Sequence, residues 1–208
     1  MLEHRTSRTL LAIVFVVVAV TITGLDLWTK KAVFEFLNVK NAGNPPHVIA
    51  QERYEILPGW FELEANYNYG AFSGWFAEHT GWLALLSGAA LLIIVVIFVL
   101  QLRQPEGPGW LFTLSLGLLW GGTCGNFYDR FVLKAVRDWI KWYYVSANGK
   151  EHVWPNFNIA DSAICTGVGM LVLLELLRAT RQKKDVPSSV PALGSEPQAR
   201  ATQELGPQ

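Results

Sequence analysis

The chain alternates between long apolar runs and polar connections, and the run lengths decide which solvent it folds in. A hydrocarbon core of about 30 Å needs roughly 20 apolar residues in a helix. Four stretches approach that length. Thr9 to Leu25 reads "TLLAIVFVVVAVTITGL", Thr80 to Leu102 carries no charge, and Gly107 to Tyr128 is Gly-rich but uncharged. The fourth runs from about Phe157 to Leu177, interrupted by Asp161 near its start and Glu175 near its end. The pattern predicts a mainly α membrane protein of four transmembrane helices, with spans at about 9–27, 80–102, 107–127 and 157–178. The outer loops are expected at 28–79 and 128–156, with the membrane domain ending at residue 184. No small-residue cleavage site follows the first run, where "GLDLWTKK" stands instead, so that run is expected to stay as a span.

The connections differ in character. "PEGPG" at 105–109 reads as a tight turn between two helices. In "YEILPGWFELEAN", Phe61, Leu63 and Ala65 alternate with Glu62 and Glu64 around a Pro58-Gly59 turn. That pattern predicts two short antiparallel strands, a small extracytoplasmic β-region resting on the membrane surface. From 185 to 208 the chain is rich in Pro, Ser and Gln, which predicts a disordered cytoplasmic tail.

Composition agrees with a lipid solvent: of 208 residues, 51% are hydrophobic, 16% are charged and nine are Trp. Arg5, Arg8, Arg103, Arg178, Arg181, Lys183 and Lys184 crowd the short flanks at one side of the four runs. The positive-inside rule then makes both termini cytoplasmic. Trp28, Trp75, Trp82 and Trp154 fall at the outer interface and Trp110 at the inner one, as an aromatic belt requires.

Against this background, carboxylates and amides at the outer ends of the spans stand out, because an ionisable group at membrane depth is costly and its default reading is functional. Asp26, Asn126, Asp129, Asn158 and Asp161 converge on one layer, with Asp138 in the loop between. Two close carboxyl groups can hydrolyse an amide without a metal, one taking a proton from water while the other gives one. They share a proton because both cannot ionise cheaply. Structural readings compete. Asp26 and Lys30, spaced i, i+4, form a helix-end ion pair on one reading. Asp161 could simply cap its helix, and "LSLGLLWGGTCGN" could simply be close helix packing. Arg130 could keep Asp129 ionised or tie down a loop. Cys124 and Cys165 read as small hydrophobes, a disulfide being the alternative.

The blocks "GGTCGNFYDR" (121–130), "VRDW" (136–139) and "FNIADSAI" (157–164), preceded by "DLWTK" (26–30) and "NYGAFS" (68–73), occur in an order that resembles the lipoprotein signal peptidases, or signal peptidase II. These are aspartic proteases of bacterial inner membranes. The resemblance implies Asp138 and Asp161 as the catalytic pair. It implies substrate-binding or site-ordering roles for Asn126, Arg130, Asn158, Asn68, Asp26, Lys30, Asp129, Gly122 and Ala160, with Asp129 the structural rival of Asp138. One Ala stands between Gly70 and Phe72 where the family has two, which leaves Asn66 open beside Asn68. The stretch from Asp138 to Asp161 is longer than the family's, with "SANGKEH" as the insertion. By resemblance the chain is a monomer that needs no metal or other cofactor and binds no nucleic acid. Its partners are membrane lipids and prolipoproteins, cleaved on the N-terminal side of a diacylglyceryl-modified Cys.

Three other classes fit less well. A transporter normally shows repeated halves and helices broken in mid-span, whereas here the polar groups sit at span ends. A zinc protease is disfavoured because His4, His47, His79 and His152 are scattered, with no HExxH. A nonenzymatic assembly protein has no use for two spaced Asp blocks.

Overall fold

The computed structural model describes residues 7–70 and 80–185. Trp75, His79 and residues 71–73 of the "NYGAFS" block lie outside them, as do the basic start at Arg5 and the tail from 186. Four long helices are present: α1 (Arg8–Phe36), α2 (Thr80–Arg103), α3 (Trp110–Leu133) and α4 (Ile159–Asp185). Three of them, α1, α2 and α4, are long and apolar enough to cross a membrane. The third, α3, falls outside that group, its apolar residues being diluted by Gly117, Gly121, Gly122, Gly125 and Asn126. It is the central helix, packed against each of the other three.

Glycine sets how closely α3 is embraced. Gly117, Gly121 and Gly125 recur at four-residue spacing and so share one face, the face against α1. A Cβ on Gly121 would stand 2.7 Å from the Ala19 carbonyl oxygen and 2.8 Å from Ile22 Cβ. One on Gly125 would strike the Asp26 carboxyl, and one on Gly122 the Ala160 carbonyl of α4. In lipid, such close backbone approach replaces the hydrophobic drive that water would supply. Gly24 has nothing within 4 Å of its Cβ position. The Gly121→Ala variant is therefore expected to lose about 1–3 kcal/mol by overpacking. Gly24→Ala is expected to be neutral or to gain up to about 1 kcal/mol from helix propensity. Thermal unfolding of the two variants in the same detergent checks this, and equal shifts would refute the packing argument.

The β-region is larger than the sequence pattern indicated. The expected pair is present as β3 (Tyr54–Leu57) and β4 (Phe61–Asn68), antiparallel, with Tyr54 opposite Leu63. Two additions follow from the second outer connection. β5 (Val136–Val145) pairs antiparallel with β4, and β6 (Glu151–Val153) pairs with β5, giving a sheet of order β3-β4-β5-β6. A separate hairpin joins β1 (Lys40–Ala42) and β2 (His47–Ala50). The expected alternation of buried and exposed residues fails at Glu62, which is buried. Its carboxylate meets Lys141 Nζ on β5 at 2.7 Å, so a cross-strand ion pair replaces solvent.

Two joints aim the sheet at the bundle. α1 continues beyond Lys30, so that Phe34 and Leu37 pack with Leu63, Ala65, Tyr67 and Ala135 beneath the strands. At the other joint, Phe157 forms an isolated antiparallel bridge to Ile140. Its carbonyl accepts from the Trp139 and Ile140 amides at 3.1 and 2.9 Å, and its own N–H reaches the Ile140 carbonyl at 3.1 Å. This bridge holds the entry to α4 beside β5.

Candidate active site

The acidic and amide residues singled out from the sequence are brought to one cluster by several elements. Asp26 and Lys30 come from α1, Asn126 and Asp129 from α3, Asp138 from β5, and Asn158 and Asp161 from the start of α4. Asn158 is the N-cap of α4. Its Oδ1 accepts the Asp161 amide at 2.9 Å while Asp161 Oδ2 accepts the Asn158 amide at 3.2 Å. This is a reciprocal capping box. The capping reading of Asp161 is thus correct, and its other oxygen, Oδ1, is left to face Asn126 Nδ2 at 2.7 Å.

Asp138 is almost fully buried. Its Oδ1 accepts from Asn158 Nδ2 at 2.7 Å and its Oδ2 from Asn68 Nδ2 at 3.1 Å. Asn68 therefore reaches the carboxyl, while Asn66, which is exposed, makes no such bond. Burial foremost, and then the charge of Asp161, push the Asp138 carboxyl up to about 7, against weaker lowering by its amide bonds and by Lys30. All four oxygens of Asp138 and Asp161 thus receive one N–H each, and among the described residues neither carboxyl joins an ion pair.

The amide orientations are dictated by their other partners. A lysine ammonium can only donate. Lys30 Nζ lies 2.9 Å from Asn126 Oδ1, so the NH₂ of that amide must face Asp161. Lys30 is fully buried and also meets Asp26 Oδ2 at 2.6 Å and Asp129 Oδ2 at 3.3 Å. The expected Asp26–Lys30 pair therefore exists, but in the helix interior and not at a helix end, with Asp26 Oδ1 also accepting the Ala160 amide at 2.9 Å. Gly125 and Gly122 leave the room that these contacts need.

Asp129 is fully buried between two cations, Arg137 at 2.7 Å and Lys30 at 3.3 Å. Arg130, proposed from sequence as the group that keeps Asp129 ionised, turns the other way. Its Nη2 reaches the Gly70 carbonyl at 3.4 Å, which fits the loop-tying alternative, and among the described residues its buried Nε has no partner.

Asp161, Asn68 and Arg130 open onto a groove of about 560 Å³ whose remaining walls include Trp142, Trp154, Phe157 and Ile164. A neighbouring trough of about 890 Å³ shares Trp142, Trp154, Phe157 and Ser162 and extends over the sheet. A third opening, of about 250 Å³, shares Arg130 and Ile164 and leads to Leu83, Leu86 and Ala90 on α2. Sequence reading missed Arg137, although "VRDW" contains it, and the aromatic walls. The period-2 alternation of Ile140, Trp142 and Tyr144 after Asp138 was the available signal. Cys124 and Cys165 are free thiols.

The fold is that of a bacterial membrane enzyme. Two solved structures so described, by the in meso method at 2.3 and 1.9 Å, align with TM-scores of 0.63 and 0.54. They share 23% and 22% sequence identity and cover 84% and 78% of this chain and 94% and 92% of theirs. The chain belongs to the signal peptidase II family, whose model matches residues 17–177. A lipoprotein signal peptidase of Sulfurihydrogenibium sp. is 33% identical over 176 residues, 84% of this chain and 94% of that protein. Another, from Teredinibacter turnerae, is 37% identical over 130 residues, 61% of this chain and 72% of its own length. The protein is accordingly a multi-pass membrane protease of the aspartic, signal peptidase II type.

Proposed function

We propose that the chain removes the signal peptide of diacylglyceryl-modified prolipoproteins on the N-terminal side of the lipidated Cys, with Asp138 and Asp161 as the catalytic pair. The observation that carries this reading is the donor set around them. Two carboxyl groups from β5 and α4, each oxygen met by one amide N–H and, among the described residues, neither neutralised by a cation, are held in register but left free to exchange protons.

Their environments divide the work. Asp138, buried and held near neutral pH with its proton, is the acid; Asp161, on the groove wall, is the base. Asp161 takes a proton from water as the water oxygen attacks the scissile carbonyl, and Asp138 gives its proton to the carbonyl oxygen. In the collapse of the resulting diol, Asp138 recovers a hydroxyl proton and Asp161 delivers its proton to the leaving nitrogen. Arg130 and Asn68 line the groove where a substrate backbone carbonyl would lie, and both carry N–H donors.

The site stands at the end of the bundle opposite the α2–α3 turn. At that turn Arg8 donates to the Gln104 carbonyl at 3.0 Å, so the start of α1 and the basic flank of α2 share one side. With α3 as a fourth span, about 36 Å long at 1.5 Å per residue, this supports cytoplasmic termini in the bacterial inner membrane. The pair would then lie at the outer leaflet. The chain is read as a monomeric membrane domain ending near residue 184, followed by a dispensable tail.

A substrate carrying two acyl chains is confined to the bilayer, each buried CH₂ contributing about 0.8 kcal/mol, so its scissile bond arrives laterally at headgroup depth. Apolar walls next to the polar end of the groove suit such a ligand. An unlipidated precursor of identical peptide sequence is therefore expected to be cleaved far more slowly by the reconstituted enzyme than the lipidated one. Equal rates for the two would remove the lipid from the substrate assignment and leave the acid–base chemistry standing.

A further inference from the structure

Resting on the reading of Asp138 and Asp161 as the catalytic pair, we infer that Arg137 is a positioning residue for that pair, acting from the far side of the sheet through Asp129, Lys30 and Asn126. Neighbouring residues of a strand point to opposite faces, so Arg137 points away from the side that carries Asp138. It lines a separate cavity of about 390 Å³ with Lys31, Glu35, Asn38 and Asn41, not the groove that Asp161 lines. Contact with substrate in that groove is excluded by this placement, and any effect on turnover must be transmitted.

The route of transmission is a chain of bonds. Arg137 grips Asp129 three times: its amide to Oδ2 at 3.0 Å, its Nε to Oδ1 and Oδ2 at 3.2 Å each, and its Nη2 to Oδ1 at 2.7 Å. Asp129 is fully buried, and its other cation is Lys30 at 3.3 Å. Lys30 has three protons and three acceptors, in Asp26, Asn126 and Asp129. While Arg137 satisfies Asp129, the ammonium can stay close to Asn126 and hold its amide with NH₂ toward Asp161. Without the guanidinium, Asp129 must draw Lys30 toward itself, and Asn126 Oδ1 loses the shorter of its two donors, keeping only Asn158 Nδ2 at 3.2 Å. A second link is direct. The Arg137 carbonyl accepts from Asn158 Nδ2 at 3.3 Å, the same nitrogen that holds Asp138 Oδ1.

The charged and titratable groups facing this path are Asp26, Lys30, Lys31 and Glu35 on α1, Tyr67 on β4, Asp129 and Arg130 on α3, Arg137 and Asp138 on β5, and Asp161 on α4. Asp26 and Asp129 balance Lys30 and Arg137, so losing Arg137 leaves one uncompensated negative charge beside the pair. Both effects, the extra charge and the less firmly held donor at Asp161, make the pair hold its proton more tightly.

The test is a comparison of Arg137→Gln and Arg137→Lys in the wild-type and Asp129→Asn backgrounds. Each is assayed for cleavage of a synthetic lipidated precursor in detergent micelles, with thermal unfolding measured alongside. Arg137→Gln is expected to lower kcat about 10- to 100-fold with KM little changed, and to move the alkaline limb of the kcat profile to higher pH. Arg137→Lys, which keeps the charge, should recover much of the rate and restore the limb. In the Asp129→Asn background, Arg137→Gln should cost little more, since the carboxylate it serves is gone. An Arg137→Gln loss of equal size in both backgrounds overturns the proposal, as does an unmoved pH limb or a loss confined to KM. Failure of the wild type to cleave the precursor would instead remove the reading of the pair on which the proposal rests.

Discussion

Asp138→Asn and Asp161→Asn are each expected to lower turnover by about 10²–10⁴-fold while the protein still inserts and unfolds cooperatively. An amide is nearly isosteric with a carboxyl, but it can neither give up nor take the proton that each step moves. The two losses should not multiply, because the groups act as one unit. A pH profile adds an independent reading. The active form carries one proton on the pair, so activity is lost as pH rises through the Asp138 value of about 7. That limb belongs to the coupled pair and not to one residue, and it should vanish in the residual activity of either variant. Full activity in Asp138→Asn together with inactivity in Asp129→Asn would transfer the acid role to Asp129.

The second large effect concerns stability. Lys30 is fully buried between Asp26 and Asp129, and removing one partner of a buried ion pair leaves an uncompensated charge, at a cost of about 3–5 kcal/mol. Lys30→Met is therefore expected to lose stability of that order and to lose activity with it, since Asn126 Oδ1 loses its ammonium donor and keeps only Asn158 Nδ2. Lys30→Met combined with Asp26→Asn should regain part of the stability, because one stranded carboxylate is removed, without regaining turnover. Thermal unfolding in detergent, paired with the cleavage assay, separates the two. An unchanged melting temperature in Lys30→Met would mean that the cluster is solvated and that its burial carries no energetic weight.

How much of this was legible in the chain varied with the range of the interaction. The helices could be read because apolar runs report their solvent locally, and the β3–β4 pair could be read because its turn and alternation lie within fifteen residues. β5 could not be paired from sequence. Its partner β4 is some seventy positions earlier, and the side of β5 that carries Glu62's partner Lys141 is polar for reasons only the partner strand supplies. The same holds within the site. Residue types at membrane depth announced Asp26, Asn126, Asp129, Asn158 and Asp161, but not which amide meets which oxygen. Arg137 holds the place beside Asp129 that the sequence offered Arg130, because both lie within reach of Asp129 along the chain and only the turn into β5 decides between them. That turn passes through Lys134, whose φ of 63° is left-handed. It brings the Arg137 amide and guanidinium back onto Asp129.

The bridge between Ile140 and Phe157 has a consequence for how such a chain can vary. It closes the excursion that contains the outer half of β5, the tip Ser146–Lys150 and β6, and it does so on the tip side of Asp138 and ahead of Asp161. Whatever length is threaded between the two bridged residues hangs from a fixed base, as a bight of rope hangs from a cleat. The "SANGKEH" segment occupies that bight, so an added turn there leaves the separation of the two carboxyls untouched. Diversification of the outer surface and constancy of the catalytic spacing are in this way assigned to different stretches of one connection.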